Sequence, residues 1–114
     1  MANGDVFLKT NELPWQDVGG GLKRQILGYD AELMLVRVKF KKGSIGKPHG
    51  HPHRQVSLIE SGAFEVHVAG KKTVLTAGDG FYVPPEAVHG AVALQDSVIV
   101  DVFSPAREDF VDDV

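Results

Sequence analysis

The feature that most constrains this chain is a strand-like alternation of apolar and polar residues that is interrupted by turn residues. Phe64, Val66 and Val68 alternate with polar side chains, and Gly70 follows them at a predicted hairpin turn. No segment keeps the 3.6-residue apolar period of an amphipathic helix. Eight or nine short strands, with turn signals at a spacing of roughly 8–12 residues, therefore predict an all-β sandwich or barrel.

A chain of 114 residues has the length of one domain, so we expect a single domain over residues 1–114. Residues 1–14 are predicted to form an N-terminal arm or edge strand, and residues 104–114 a polar C-terminal tail. The strand candidates between them are 22–27, 32–40, 56–60, 63–69, 72–76, 81–83, 90–94 and 97–103.

The composition disfavours several classes of function. The formal net charge is −3, and no basic stripe is present that would bind a nucleic-acid backbone. The chain has no cysteine, which excludes thiolate metal ligands and a cysteine nucleophile. It shows neither a signal-peptide pattern nor an apolar run near the ~20 residues of a membrane span. We therefore expect a cytoplasmic location by default, without membrane contact.

A histidine cluster is the main functional feature of the sequence. His49, His51 and His53 occupy every second position, and Gln55 continues the same parity. In an extended segment these four side chains share one face. His89 is a further candidate, much later in the chain. Because imidazole suits divalent zinc, nickel, copper, iron and manganese, the histidines predict a metal site.

The ligand set stays open at this point. His51 and His53 have the same spacing as His49 and His51, so either pair could supply ligands. We expect His53 to lie beside the site rather than on the metal. The residue types also leave the metal open among nickel, zinc, manganese and iron. Neutral imidazoles and a neutral amide would leave the ion its full positive charge, which makes a good Lewis acid.

Asp101 is the second informative residue, because it is the only charged residue in the apolar run 98–103. A buried carboxylate is costly unless it is paired, hydrogen-bonded or close to a cation. It could serve in proton transfer, or it could pair with a lysine or arginine for structural reasons. Phe103 has the same parity and is predicted to line the interior with it. Arg107 follows the strand and could form a bidentate pair with a substrate carboxylate.

Together these residues resemble the cupin superfamily. Its first motif contains, in order along the chain, a glycine, His-x-His, an acidic residue and a second glycine. Its second motif contains a glycine, then a proline, then a histidine. The matching residues are Gly43, His49, His51, Gln55, Gly62, Gly78, Pro84 and His89. Gln55 replaces the usual glutamate, and Glu86 replaces a usual glycine. The resemblance implies a single-domain cupin fold, that is, a double-stranded β-helix or jelly-roll barrel.

A narrower resemblance links the segments 49–55 and 101–109 to the KdgF-type pectin-degradation cupins, in which glutamine is the usual fourth ligand. Arg54 departs from that family, where a glutamate is common. The resemblance implies one divalent metal ion and an active-site group beside it. The implied ligands are His49, His51, Gln55 and His89, and the implied active-site group is Asp101, Phe103 and Arg107.

The KdgF-type resemblance also implies a reaction on a small sugar acid. The family opens the 4,5-unsaturated monouronates left by pectin or alginate lyases to the linear 5-keto-4-deoxyuronate. A homodimer is expected, because cupins often pair through edge strands and the arm Val6-Phe7-Leu8 could cover an edge. Two alternatives are a metal-dependent oxygenase of the same fold and a non-catalytic sugar-binding or sensory cupin.

Overall fold

The computed structural model describes residues 6–112, which contain ten β-strands and two short helical segments. A 3₁₀ helix covers Thr10–Glu12 and the helix α1 covers Glu108–Asp112. The strands are β1 (Gln16–Gly19), β2 (Leu22–Tyr29), β3 (Met34–Phe40), β4 (Ile45–His49), β5 (Arg54–Ser61), β6 (Ala63–Val68), β7 (Lys71–Thr76), β8 (Gly80–Val83), β9 (His89–Ala93) and β10 (Ser97–Ser104).

The strands form two antiparallel sheets, which confirms the predicted all-β class. One sheet has six strands in the order β1-β2-β3-β10-β5-β8, and the other has four in the order β4-β9-β6-β7. None of the helices within residues 6–112 is long and apolar enough to span a membrane.

Every strand candidate from the sequence corresponds to an observed strand, with ends that differ by no more than two residues. Two strands, β1 and β4, were not predicted. Strand β1 is exposed at three of its four residues and so lacks an apolar alternation. Strand β4 contains Gly46 and Pro48, which disfavour a strand prediction even though the segment is paired with β9.

The core is built from side chains of both sheets. Phe40 from the six-stranded sheet and Phe64 from the four-stranded sheet meet edge to face, with ring centres 4.9 Å apart. Around them lie the buried side chains Ile59, Val66, Ala91, Ala93 and Ile99. A second buried cluster, formed by Met34, Val36, Phe103 and Ala106, packs against Phe110 of α1. The functional site described below lies on a cavity that both clusters line.

The register between β5 and β10 determines which polar side chains meet inside. Gln55, Ser57 and Ile59 are buried, and their neighbours along β5 are exposed, as expected for period two. In the pairing with β10, Ser57 lies opposite Asp101 and Gln55 lies opposite Phe103. The sheet therefore brings an amide, a hydroxyl and a carboxyl together on its inner face.

The segment before β1 packs on the outer face of the six-stranded sheet. The Nε2 atom of Gln25, which is fully buried, donates to the carbonyl oxygens of Thr10 at 2.7 Å and Leu13 at 3.0 Å. Leu8 lies against Gly28, where a Cβ would come within 2.8 Å of its Cδ1 atom. Val6 and Phe7 each remain 84% exposed, and residues 1–5 of the predicted arm lie outside the described residues.

The turn between β5 and β6 gives a test of this fold. Gly62 has a φ of +86°, and an added Cβ would overlap Ser97 and lie 2.7 Å from the Asp96 carbonyl oxygen. We expect Gly62→Ala to lower the free energy of unfolding by about 1–3 kcal/mol for the left-handed backbone and by a further ~1–3 kcal/mol for the overlap.

Gly43→Ala is the matched control in urea unfolding. Gly43 has a φ of +85° but nothing within 4 Å of an added Cβ, so only the backbone contribution should be lost. Equal losses in the two variants would contradict the packing described for Gly62.

Candidate functional site

Three histidines form a compact group at the ends of two neighbouring strands. His49 ends β4, His89 begins β9, and these two residues lie opposite each other in the sheet. His51 follows two residues later. One ring nitrogen from each of the three lies within 4.8 Å of the others. His51 and His89 are buried and His49 is exposed, so the group can be reached from outside.

Each of these rings is oriented by a hydrogen bond from Nδ1 to a backbone carbonyl. The acceptors are Lys47 for His49 at 2.8 Å, His53 for His51 at 3.1 Å and Ala87 for His89 at 3.0 Å. Because a carbonyl oxygen only accepts, each Nδ1 carries the hydrogen and each Nε2 has a free lone pair. A backbone carbonyl is one of the usual partners that orient metal-binding histidines.

The side chain of Gln55 adds an oxygen to this group. Its Nε2 atom donates to Ser57 Oγ at 2.9 Å and to Asp101 Oδ1 at 3.3 Å, so its Oε1 atom points the other way. Oε1 then lies 3.0 Å from Nε2 of His51. Two acceptor atoms at that distance repel unless a cation or a proton lies between them.

A divalent ion fits this donor set. Two ligands at right angles on one ion, each about 2.1 Å from it, are separated by about 3 Å, as Gln55 Oε1 and His51 Nε2 are. Burial lowers the pKa of His51 and His89, which favours the neutral rings that bind metals. The three histidines could therefore hold a metal, with the amide oxygen of Gln55 as a fourth ligand.

His53 lies beside this group and not in it. Its ring centre is 5.4 Å from that of His51, and its backbone carbonyl accepts the hydrogen bond from His51 Nδ1. Among the described residues, the group of side chains that could hold a metal contains His49, His51 and His89. The structure therefore places His49, and not His53, in the group that could hold a metal.

Asp101 is the carboxyl next to the histidine group. It accepts hydrogen bonds at Oδ1 from Ser57 at 2.5 Å and from Gln55 at 3.3 Å, and it has no ion pair among the described residues. Burial raises its pKa to about 6, and these hydrogen bonds and the charge of Arg107 only partly oppose that increase. The structural alternative from the sequence, a pairing with lysine or arginine, is therefore not what the structure shows.

Arg107 lies at the wall of the same cavity. Its guanidinium carbon is 4.3 Å from the ring centre of Phe110 and 5.3 Å from that of Phe103. Its Nε and Nη2 atoms donate to the two carboxylate oxygens of Asp109 at 3.0 and 2.9 Å, and this guanidinium lowers the pKa of Asp109. Nη1 makes no hydrogen bond within residues 6–112 and stays available to a ligand.

A cavity of about 180 Å³ brings these groups together. The predicted site residues that line it are His49, Gln55, His89, Asp101, Phe103 and Arg107. His51 does not line the cavity, but its ring centre lies 5.8 Å from that of Phe103, which does. A larger groove of about 600 Å³ lies near residues 19–21, but no histidine lines it.

Sequence reasoning missed two residues that line this cavity, Arg24 and Phe110, and one that lies behind its wall against Asp101, Ser57. Ser57 has the same parity on β5 as Gln55, which was the one available signal. Arg24 is buried, and its guanidinium carbon lies 4.0 Å from the Phe110 ring centre. Phe110 belongs to α1, within the segment that was predicted to be a polar tail.

Comparisons with known proteins agree with this fold. A family model described as a cupin domain matches residues 36–103. KdgF, a pectin degradation protein of Dickeya dadantii (strain 3937), is 43% identical over 107 residues, which cover 92% of this chain and 97% of that protein.

Two solved structures are also similar over nearly the whole chain. An RmlC-like cupin from Shewanella frigidimarina NCIMB 400 has a TM-score of 0.94 and 49% identity, covering 96% of this chain and 99% of the other. KdgF from Halomonas sp. has a TM-score of 0.90 and 44% identity, covering 93% and 98%.

The chain therefore belongs to the cupin domain family, and its predicted fold, a single-domain cupin barrel, is confirmed. Within that family, the similarity to KdgF from two bacteria confirms the narrower resemblance that the histidine, glutamine and C-terminal segments indicated.

The ligand assignment can be tested by metal titration. His51→Ala and His89→Ala should each weaken binding of a divalent ion by more than about 100-fold, because loss of even an indirect partner of a ligand costs 10–100-fold. Calorimetric titration with nickel or zinc measures the effect.

His53→Ala is the matched control for this titration. It removes an imidazole two residues from His51 but none from the group within 4.8 Å, so affinity should change by less than about 10-fold. If His53→Ala lost more metal affinity than His49→Ala, then His53, and not the exposed His49, would be the ligand.

Proposed function

We propose that this protein opens the ring of 4,5-unsaturated monouronates from pectin or alginate lyases, giving the linear 5-keto-4-deoxyuronate. One divalent ion would be held by His49, His51, Gln55 and His89. The observation that carries the proposal is the bridge made by Gln55, whose amide contacts His51 on one side and Asp101 on the other. An acid/base group and a site for a Lewis acid are thus adjacent in one cavity.

The reaction itself requires few groups. The substrate is an enol ether fused to a hemiacetal. A proton leaves the hemiacetal hydroxyl, the ring C–O bond breaks to give an aldehyde and an enolate, and a proton added at carbon 4 gives the ketone. Substrate and product are isomers, so neither an oxidant nor water is consumed. One group that takes up a proton and returns it is sufficient.

The cavity residues suit these requirements. Asp101 would take the hydroxyl proton and return it to carbon 4. Arg107 would bind the carboxylate through Nη1 and the second hydrogen of Nη2, since Asp109 occupies its other edge. Phe103, which is buried and lines the cavity, would pack against the sugar ring. A bound divalent ion would supply a Lewis acid that polarises a sugar oxygen.

The size of the cavity favours a single sugar ring over a longer chain. Its volume of about 180 Å³ is below the ~300–1,000 Å³ of sites for drug-sized ligands. The name of the Dickeya relative, a pectin degradation protein, supports a substrate from the same class of uronate polymers.

The direct test uses unsaturated galacturonate made by a pectate lyase. The protein should remove the ultraviolet absorbance of the double bond, a chelator should stop that loss, and an added divalent ion should restore it. Asp101→Asn should slow the reaction by about 10²–10⁴-fold, the usual contribution of a general acid/base, while the bound metal stays at the wild-type amount.

Asp79→Asn is the matched control, because it removes the same charge at the exposed turn before β8. An Asp101→Asn variant that keeps near-full activity would contradict the role of Asp101. Oxygen uptake without loss of absorbance would favour an oxygenase, and binding of the sugar acid without product would favour a sensory cupin.

The homodimer also remains a prediction. Three apolar side chains on the outer face of β5 and β8 are exposed: Val56 at 55%, Leu58 at 48% and Tyr82 at 53%. Neighbouring apolar side chains on an outer face are typical of an interface. Light scattering should give twice the chain mass, and a particle of 12.3 kDa would contradict the dimer.

A further inference from the structure

Ser57 is a buried hydroxyl beside Asp101 to which the reaction above gives no role. It lies on β5 directly opposite Asp101 on β10, and only 2% of its surface is exposed. Its Oγ atom is 2.5 Å from Asp101 Oδ1 and 2.9 Å from Gln55 Nε2. A distance near 2.5 Å is typical of a hydroxyl that donates to a charged oxygen.

The directions of these hydrogen bonds are fixed by chemistry. The amide nitrogen of Gln55 only donates, so Ser57 Oγ accepts that bond and its own hydrogen goes to Asp101. The same amide nitrogen donates to Oδ1 of Asp101 at 3.3 Å. One carboxyl oxygen, Oδ1, therefore receives both hydrogen bonds.

The other oxygen of Asp101 is left for the cavity. Oδ2 makes no hydrogen bond within residues 6–112. It is also not fully buried, so part of its surface is accessible. Because Asp101 lines the cavity, Oδ2 is the carboxyl oxygen that a ligand there can reach.

We propose that Ser57 is a positioning residue that holds the carboxyl of Asp101 by Oδ1, so that Oδ2 exchanges the proton with the substrate. The χ2 angle of an aspartate is broad and roughly two-fold, so without an anchor the carboxyl can turn. This proposal rests on the proposed ring opening, and it adds which atom of Asp101 reacts and what orients it.

The kinetic test compares three variants of β5 on unsaturated galacturonate. Ser57→Ala should lower kcat by about 10–100-fold, as expected for a misplaced reacting group, and should change KM less than about two-fold, because Ser57 does not line the cavity. Ser57→Thr keeps the hydroxyl and should recover most of kcat. Ser61→Ala, the same change at an exposed position of the strand, should have wild-type rates.

Three kinetic results would overturn the proposal: a wild-type kcat in Ser57→Ala, an increase in KM alone, or an equal loss of kcat in Ser57→Ala and Ser57→Thr. The last result would show that packing matters rather than the hydroxyl. Urea unfolding of each variant shows whether it is folded under the assay conditions, and if Ser57→Ala is not, Ser57→Cys takes its place.

Crystal structures of the wild type and of Ser57→Ala separate this proposal from the proposed function. In Ser57→Ala the Asp101 carboxyl should rotate or occupy two orientations, and an unchanged orientation would overturn the positioning role whatever the kinetics show. If the wild type opens no unsaturated uronate, the proposed function fails, and the crystal structures alone decide whether Ser57 holds the carboxyl.

Discussion

The side-chain amide of Gln55 is the interaction on which the candidate site depends. Its oxygen faces His51 at 3.0 Å, and its nitrogen donates to Ser57 and Asp101. A glutamate, the usual residue at this motif position, could not donate to Asp101. It would also place a second carboxylate within about 3.3 Å of the first, where one of the two would have to be protonated. The neutral amide therefore allows an acid to lie directly beside the histidines that could hold a metal.

That arrangement depends in turn on one strand register. Gln55 lies opposite Phe103 and Ser57 opposite Asp101 because β5 and β10 keep one alignment from Ile99 to Ser104. The alignment is fixed by burial, since Ile59 and Ile99, a further pair in the same register, are both in the core. A slip by one residue would move the polar side chains to the outer face of the sheet. The apolar pattern of the two strands thus sets the geometry of the polar site.

The same reasoning explains how much the sequence could predict. Period-two alternation located eight of the ten strands described within residues 6–112 and placed Asp101 and Phe103 on one inner face. It could not find β4, because Gly46 and Pro48 hide that strand. For Ser57 it gave only the shared parity with Gln55, and a small polar residue at an inward position has no other distinctive pattern. The contacts of such residues are set by strand pairing between distant segments.

The helix α1 shows a further limit of sequence patterns and a link between stability and function. Its five residues are too few for an apolar period or for a stable isolated helix. It is held by Phe110, which meets Phe103 edge to face at 5.6 Å and lies about 4 Å from the guanidinium carbons of Arg24 and Arg107. These four residues also line the cavity. The contacts that hold α1 against the sheet are therefore also contacts of the cavity wall. A ligand that binds Arg107 would for this reason affect both the stability of α1 and the shape of the cavity.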